Sequence, residues 1–158
     1  MRDNVTPFRP RKPPPKPKSN FNIASHRGRA VLVQLLTLAA MALNFMLAGP
    51  LSWVAWGVGV AAVAIAASNR QSAMPWAATH HEHALRTLVI GFAVSSLSTM
   101  LLYVLQLSGV PTAIIAPLTI GWFWLQIAVL IWVAIRAGVG LILAIIRHPI
   151  WHPRGILL

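Results

Sequence analysis

Residues 30–67 read AVLVQLLTLAAMALNFMLAGPLSWVAWGVGVAAVAIAA and contain no charged side chain. Two apolar runs, 30–48 and 51–67, are separated only by Gly49-Pro50. Gly just past one helix and Pro at the first position of the next make a stop and start pair. At 1.5 Å per residue the runs are about 28 and 26 Å long, each close to one bilayer core. They predict a tight transmembrane helical hairpin. The runs are continuous and lack the period-two alternation that a barrel strand needs, so helices are expected. The second run carries Gly57, Gly59, Ala61, Ala62, Ala64, Ala66 and Ala67. Small residues let helix backbones approach closely in lipid, so this face is read as a packing face.

The rest of the chain repeats the pattern. Residues 68–84 are read as a polar loop with Arg70, Pro75, Trp76 and the cluster His80-His81-Glu82-His83. A third apolar run covers 85–107, with Arg86 at its entrance. Ser108-Gly109-Val110-Pro111 is a turn signal. A fourth span covers about 117–136, with Trp122, Trp124 and Trp132 near its two ends, where indoles prefer the interface. Residues 137–147 are still apolar but too few to cross again. They are expected to break near Gly138 and Gly140 and lie along the interface, with one continuous tilted helix as the alternative. Residues 148–158 are read as a short, wet tail with a Trp anchor.

The composition agrees. Of 158 residues 57% are hydrophobic and 9% charged, more apolar surface than a soluble domain of this size can hide. There is no Cys, which removes disulfides, thiolate metal sites and a Cys nucleophile. Thirteen Lys and Arg face only Asp3 and Glu82, for a net charge of +11. Residues 1–29 hold eight of the basic residues, and the run from Pro10 to Lys18 is too rich in proline for an α-helix. It reads as an extended, polyproline II-like tail, disordered in isolation. Arg11, Lys12, Lys16 and Lys18 there are the expected contacts for anionic lipid headgroups. Nucleic acid is not an expected partner. The prolines exclude an amphipathic mitochondrial presequence, and the basic region before Val31 is too long for a signal peptide cleaved after Ala40-Met41-Ala42. The tail, the loop at 68–84 with Arg86, and the C-terminal segment carry all the positive charge outside Arg136. The 49–50 turn and residues 107–116 carry none. The positive-inside rule then predicts both termini in the cytoplasm and four spans. The fold class expected is all-α: a polytopic helical bundle with a basic tail over 1–29 and a membrane domain over 30–147.

Chemistry is sparse. His80 and His83, three apart, share a helix face and are the candidate metal ligands, imidazole being suited to zinc and similar metals. The H-E-x-x-H spacing of zinc peptidases is absent, so the reading adopted is structural, without metal or other cofactor. Ser95, Ser96, Ser98 and Thr99 have no base at comparable depth in the sequence, which argues against a nucleophile. Asn44 and Gln126 are the uncharged polar residues expected within spans. Arg86 and Arg136 are read as one basic collar at the cytoplasmic edge, contacting lipid phosphate or a partner, with Glu82 between them.

The stretch Trp76-Ala-Ala-Thr79-His80, with Arg86-Thr87 and Gly91, and then Trp132-Val-Ala-Ile-Arg136 with Gly140-Leu141 and Pro149, resembles a group of small bacterial inner-membrane proteins of unknown function. In that group a W-x-A-T-H loop precedes R-T at the entrance of one span, and a later span ends in W-x-x-x-R-x-x-x-G-L. The group is distantly similar to the four-helix subunit of the chloroplast inner-envelope translocon. The resemblance covers about 30–153, rests on His80, Arg86, Thr87, Trp132, Arg136 and Gly140, and implies a four-helix fold but no activity. His81, Glu82 and His83 depart from the pattern. The expected function is that of a non-catalytic accessory or assembly subunit in the bacterial inner membrane. It would bind a larger membrane protein, itself, or lipid. The alternative is an oligomeric transport or translocation component.

Overall fold

The computed structural model describes residues 22–46, 52–71, 74–153 and 155. The basic positions Arg11, Lys12, Lys16 and Lys18 lie outside the described residues. Four helices follow in order: α1 (His26–Met46), α2 (Ser52–Asn69), α3 (Pro75–Leu107) and α4 (Thr112–Ile145). All four are long and apolar enough to cross a membrane, and no strand occurs among the described residues.

Local signals set the helix ends. The Ser25 hydroxyl accepts a hydrogen bond from the Gly28 amide at 3.0 Å, satisfying one of the unpaired donors that open α1. A Cβ at Gly28 would collide with the backbone of Asn22 and Ile23, which folds back across it. α3 starts at Pro75, ten residues before its apolar run, so most of the expected 68–84 loop is helical. Proline suits the first helical position, and polar residues do not oppose a helix. The apolar run marks the stretch that lipid could cover and not where hydrogen bonding begins. α3 closes at Ser108, with Gly109 at φ +72° in the turn. α4 then opens after Pro111, at Thr112 and not at Pro117, which lies inside the helix.

α4 also continues unbroken through Gly138 and Gly140 to Ile145, so 137–145 is not a separate helix. It ends in a Schellman arrangement. The His148 amide donates to the Leu143 carbonyl and the Arg147 amide to that of Ala144, with Arg147 at φ 59° where glycine is usual.

The helices pack as a rhomb. α1 and α3 touch each other and both other helices, while α2 and α4 do not meet. The buried stripes follow helical spacing. On α4 the stripe is Gln126, Val129, Val133, Arg136, Gly140 and Ala144. On α2 it is Ala55, Gly59, Ala62 and Ala66. The packing face expected of α2 is therefore present but narrower, because Gly57 faces open space. Ala40, Ala62 and Leu88 join α1, α2 and α3, while Met41, Val129 and Val133 join α1 to α4.

The two hairpins differ in reach. Asn44 near the end of α1 donates to Ser95 of α3, which fixes their relative height. α1 ends at Met46 but α3 runs on to Leu107, so the α3–α4 hairpin stands about 15 Å further out. Leu101, Val104, Leu107 and Ile114 are exposed on that projecting half. Aromatic side chains gather where α1 and α2 stop: Trp53, Trp56, Phe45, Phe123 and Trp124, with Trp122 donating to Thr99 at 3.0 Å.

Candidate functional site

The end of the bundle opposite that projecting hairpin holds most of the buried polar side chains, and α3 supplies the greater part of them. His80, His81, His83 and Thr87 are all buried there, although the sequence around 80–83 reads as a solvated loop. Position 81 lies one residue from 80, so its imidazole leaves the helix on a different face from those at 80 and 83, which lie one turn apart. His80 donates from Nε2 to the His148 carbonyl at 2.9 Å, because a carbonyl can only accept. Its ring also meets the edge of Trp76 at 5.9 Å between centroids. Of the candidate metal pair His80 and His83, His80 has its Nε2 engaged by the His148 carbonyl. Among the described residues no group of three or more His, Asp or Glu side chains is placed to hold a metal ion.

α4 supplies the charge. Arg136 is only 2% exposed, so it lies within the chain and not at a snorkelling edge. Its Nε donates to the Thr87 hydroxyl at 3.1 Å, and Nη1 donates to the Gly155 carbonyl at 2.8 Å. The guanidinium also sits over the Trp132 ring, 5.2 Å from its centroid, in cation–π geometry. Thr87 in turn donates to the His83 carbonyl at 2.8 Å. One buried cation is thus held by a hydroxyl, a carbonyl and an aromatic face. That combination suits a charge removed from water.

α1 closes the cluster through Gln34, which is fully buried and donates to the His80 carbonyl at 3.3 Å. A Cβ at Gly140 would lie 2.7–2.9 Å from the Gln34 amide, so any side chain there would have to push that amide aside.

The C-terminal segment is part of the site. Of the described residues of the expected short, wet tail, 148, 149, 151 and 152 are exposed, but the segment is bonded to the end of the bundle. Ile150 is buried and its amide donates to the Thr79 hydroxyl at 3.1 Å. With the bonds to the His148 and Gly155 carbonyls, three attachments strap the tail to α3 and α4. Trp151 stays exposed and stacks on His148.

Arg86 takes a different place from Arg136. It is partly exposed and pairs with Glu82 at 2.7 Å across one helical turn, while Arg70 pairs with the other carboxylate oxygen at 3.1 Å. The expected collar of Arg86 and Arg136 around Glu82 is thus rearranged. Both arginines lie towards the same end, but Glu82 bridges Arg86 to Arg70 on the outside, and Arg136 bonds inside to Thr87. Arg70 was missed as a site residue, although Glu82 is the one acid beyond the N-terminal tail and needs basic partners.

A second polar layer lies nearer the projecting hairpin. Ser95 accepts from Asn44 and donates to Gln126, and Gln126 donates to Ser98 at 3.0 Å. Met41, Val129 and Val133 form an apolar layer between this belt and the Arg136 cluster. The hydroxyls of Ser95, Ser98 and Thr99 are therefore joints between helices.

No family model, curated protein or solved structure matches this chain. Trp76, Thr79, His80, Thr87, Trp132, Arg136 and Gly140 form or border the strapped cluster.

Proposed function

We propose that this chain is a four-span protein of the bacterial inner membrane, with both termini in the cytoplasm. In this reading it is a non-catalytic accessory or assembly subunit that binds a larger membrane protein. One observation carries the reading: the outer half of the α3–α4 hairpin projects past α1 and exposes large apolar side chains with no charge between Arg86 and Arg136. Such a face is suited to a transmembrane helix of another protein, packed by van der Waals contact in lipid. Arg70, Glu82 and Arg86 mark the inner interface. The absence of a catalytic role is supported by the engagement of the Ser95 hydroxyl between two amides. The resemblance adds only a translocon-subunit-like four-helix fold.

A second reading, an oligomeric transport or translocation component, draws on the polar belt of Asn44, Ser95 and Gln126. Photocrosslinking in native membranes separates the two. A photoreactive residue at Leu107 or Ile114 should capture a different membrane protein, while one at Ile142 should not. A ladder of self-adducts from Leu107 supports the oligomeric reading, and adducts to lipid alone from all three positions would sink both. The orientation has its own check, because the chain has no Cys of its own. A cysteine placed at Ser19 should resist an impermeant maleimide added outside intact spheroplasts, and rapid labelling there would reverse the topology.

A further inference from the structure

The groove between α2 and α3 changes character along its length in the manner of a phospholipid. At its inner end Arg70 of α2 and Arg86 of α3 share the single carboxylate of Glu82. A guanidinium carries five N–H donors, so one carboxylate with about four lone-pair sites cannot satisfy two of them. The Arg70 and Arg86 side chains are 51% and 42% exposed, against 18% for Glu82. The triad is therefore a net positive charge with donors to spare, at the surface of the bundle. A cavity of about 490 Å³ with mixed polar and apolar walls opens beside it, its lining including Ala67, Arg70, Gln71, Ala78, Glu82 and Pro153.

The same helix faces continue outward as hydrocarbon. Spacing of three and four residues puts Glu82, Arg86, Val89 and Phe92 on one stripe of α3, and Arg70, Val63, Val60 and Trp56 on one stripe of α2. Between these stripes lies a cavity of about 180 Å³ lined by Trp56, Gly59, Val60, Val63, Val89 and Phe92, with Leu88 at its floor. It begins about one turn beyond Arg86 and is closed at its outer end by the Trp56–Phe92 ring contact at 5.2 Å. A Cβ at Gly59 would meet the Phe92 ring at 2.9 Å, so glycine there is what seats the ring against α2.

We propose that this groove is a binding site for one anionic glycerophospholipid of the cytoplasmic leaflet. Its phosphate lies on Arg70 and Arg86, its headgroup enters the cavity beside them, and the first part of one acyl chain lies between Val63 and Val89. Charge complementarity selects the occupant: the triad offers one net positive charge, and the apolar slot directly beyond it has no use for a soluble anion. The proposal goes beyond the function given above and rests on it only for the orientation in the membrane, and so for the choice of leaflet.

Native mass spectrometry of the full chain tests it. The protein, purified in mild detergent, is offered equal amounts of phosphatidylglycerol and phosphatidylcholine with the same acyl chains. The one-to-one complex should favour phosphatidylglycerol. The double variant Arg70→Gln, Arg86→Gln should lose that preference by roughly fivefold for each charge removed. Arg70→Lys, Arg86→Lys should keep it, which separates lost charge from lost fold. Val63→Trp, filling the slot, should reduce retention of both lipids and leave their ratio unchanged. Arg147→Gln, a charge removed away from the groove, should leave both readouts as they are. An equal loss from Arg147→Gln, an undiminished preference in the double Gln variant, or displacement of the lipid by excess glycerol 3-phosphate would each overturn the site. The assay contains no second protein, so its failure and a failure of the crosslinking experiment are separate outcomes.

Discussion

The two ends of this bundle solve opposite problems. At the end that holds Arg136, polar groups are gathered and bonded to one another: a guanidinium, a threonine, a glutamine, a histidine ring and the carbonyls of a returning tail. At the projecting end the α3–α4 hairpin runs past α1 with leucine, isoleucine and valine exposed. The first end is stable through contacts within the chain. The second leaves its surface to whatever surrounds it. A small membrane protein with this division can hold its own shape at one end while offering the other to lipid or to a neighbouring helix.

The comparison breaks most readily at Arg136. Arg136→Ala removes the group that ties Thr87 to the Gly155 carbonyl and leaves the buried Thr87 hydroxyl short of a partner beside a void. A loss of about 3 kcal/mol is expected from cavity and unsatisfied polar groups together. Unfolding in mild detergent measures the loss, and hydrogen exchange should show the Ile150 amide released from Thr79. An unchanged Ile150 amide would mean that the strap does not depend on Arg136. Next in size is Gly140→Val. Its side chain would have to displace the Gln34 amide, and overpacking of this kind costs about 1–3 kcal/mol. The same change at Gly138, where a Cβ meets nothing, should cost far less. The difference between the two melting temperatures is the informative quantity.

A gain is expected at Arg147, whose φ of 59° is unfavourable for a side chain bearing a Cβ. Arg147→Gly should raise stability by about 1 kcal/mol, the usual penalty for a left-handed non-glycine residue. A fall instead would show that the arginine side chain contributes more than its backbone strain costs. The smallest effect belongs to the projecting tip. Leu107→Asn should change the stability of the isolated chain by no more than about 0.5 kcal/mol, because that side chain is exposed. If it weakened the isolated chain as much as Gly140→Val, the contrast between the two ends would fail.

Much of the fold was legible because lipid-facing helices must be long and apolar, and the runs at 30–48, 51–67 and 85–107 meet that need without help from their neighbours. Where the reading failed, the reason is physical. Hydropathy measures where lipid can cover a helix, so it marked 68–84 as loop, although Pro75 opens a helix that buries His80, His81 and His83. It divided α4 at Pro117 and at Gly138, although intrahelical bonding continues through both. The candidate site was half visible. Glu82 and Arg86, four apart, were readable as a helical pair, but Arg70 joins them only when the chain turns back between α2 and α3.

The amino-acid sequence by itself determined four apolar helices, their antiparallel order and the sparseness of charge, because these follow from composition and from spacing along one chain. Only the tertiary structure decided which polar residues are inside. Arg86 and Arg136 look alike as arginines at the ends of apolar runs, yet one reaches the surface beside Glu82 and the other is buried beneath a tail whose contact with it, Gly155, lies nineteen residues later in sequence. Burial of that kind depends on which face each helix turns towards its neighbours and on where a distant segment returns, and neither quantity is local to the residue.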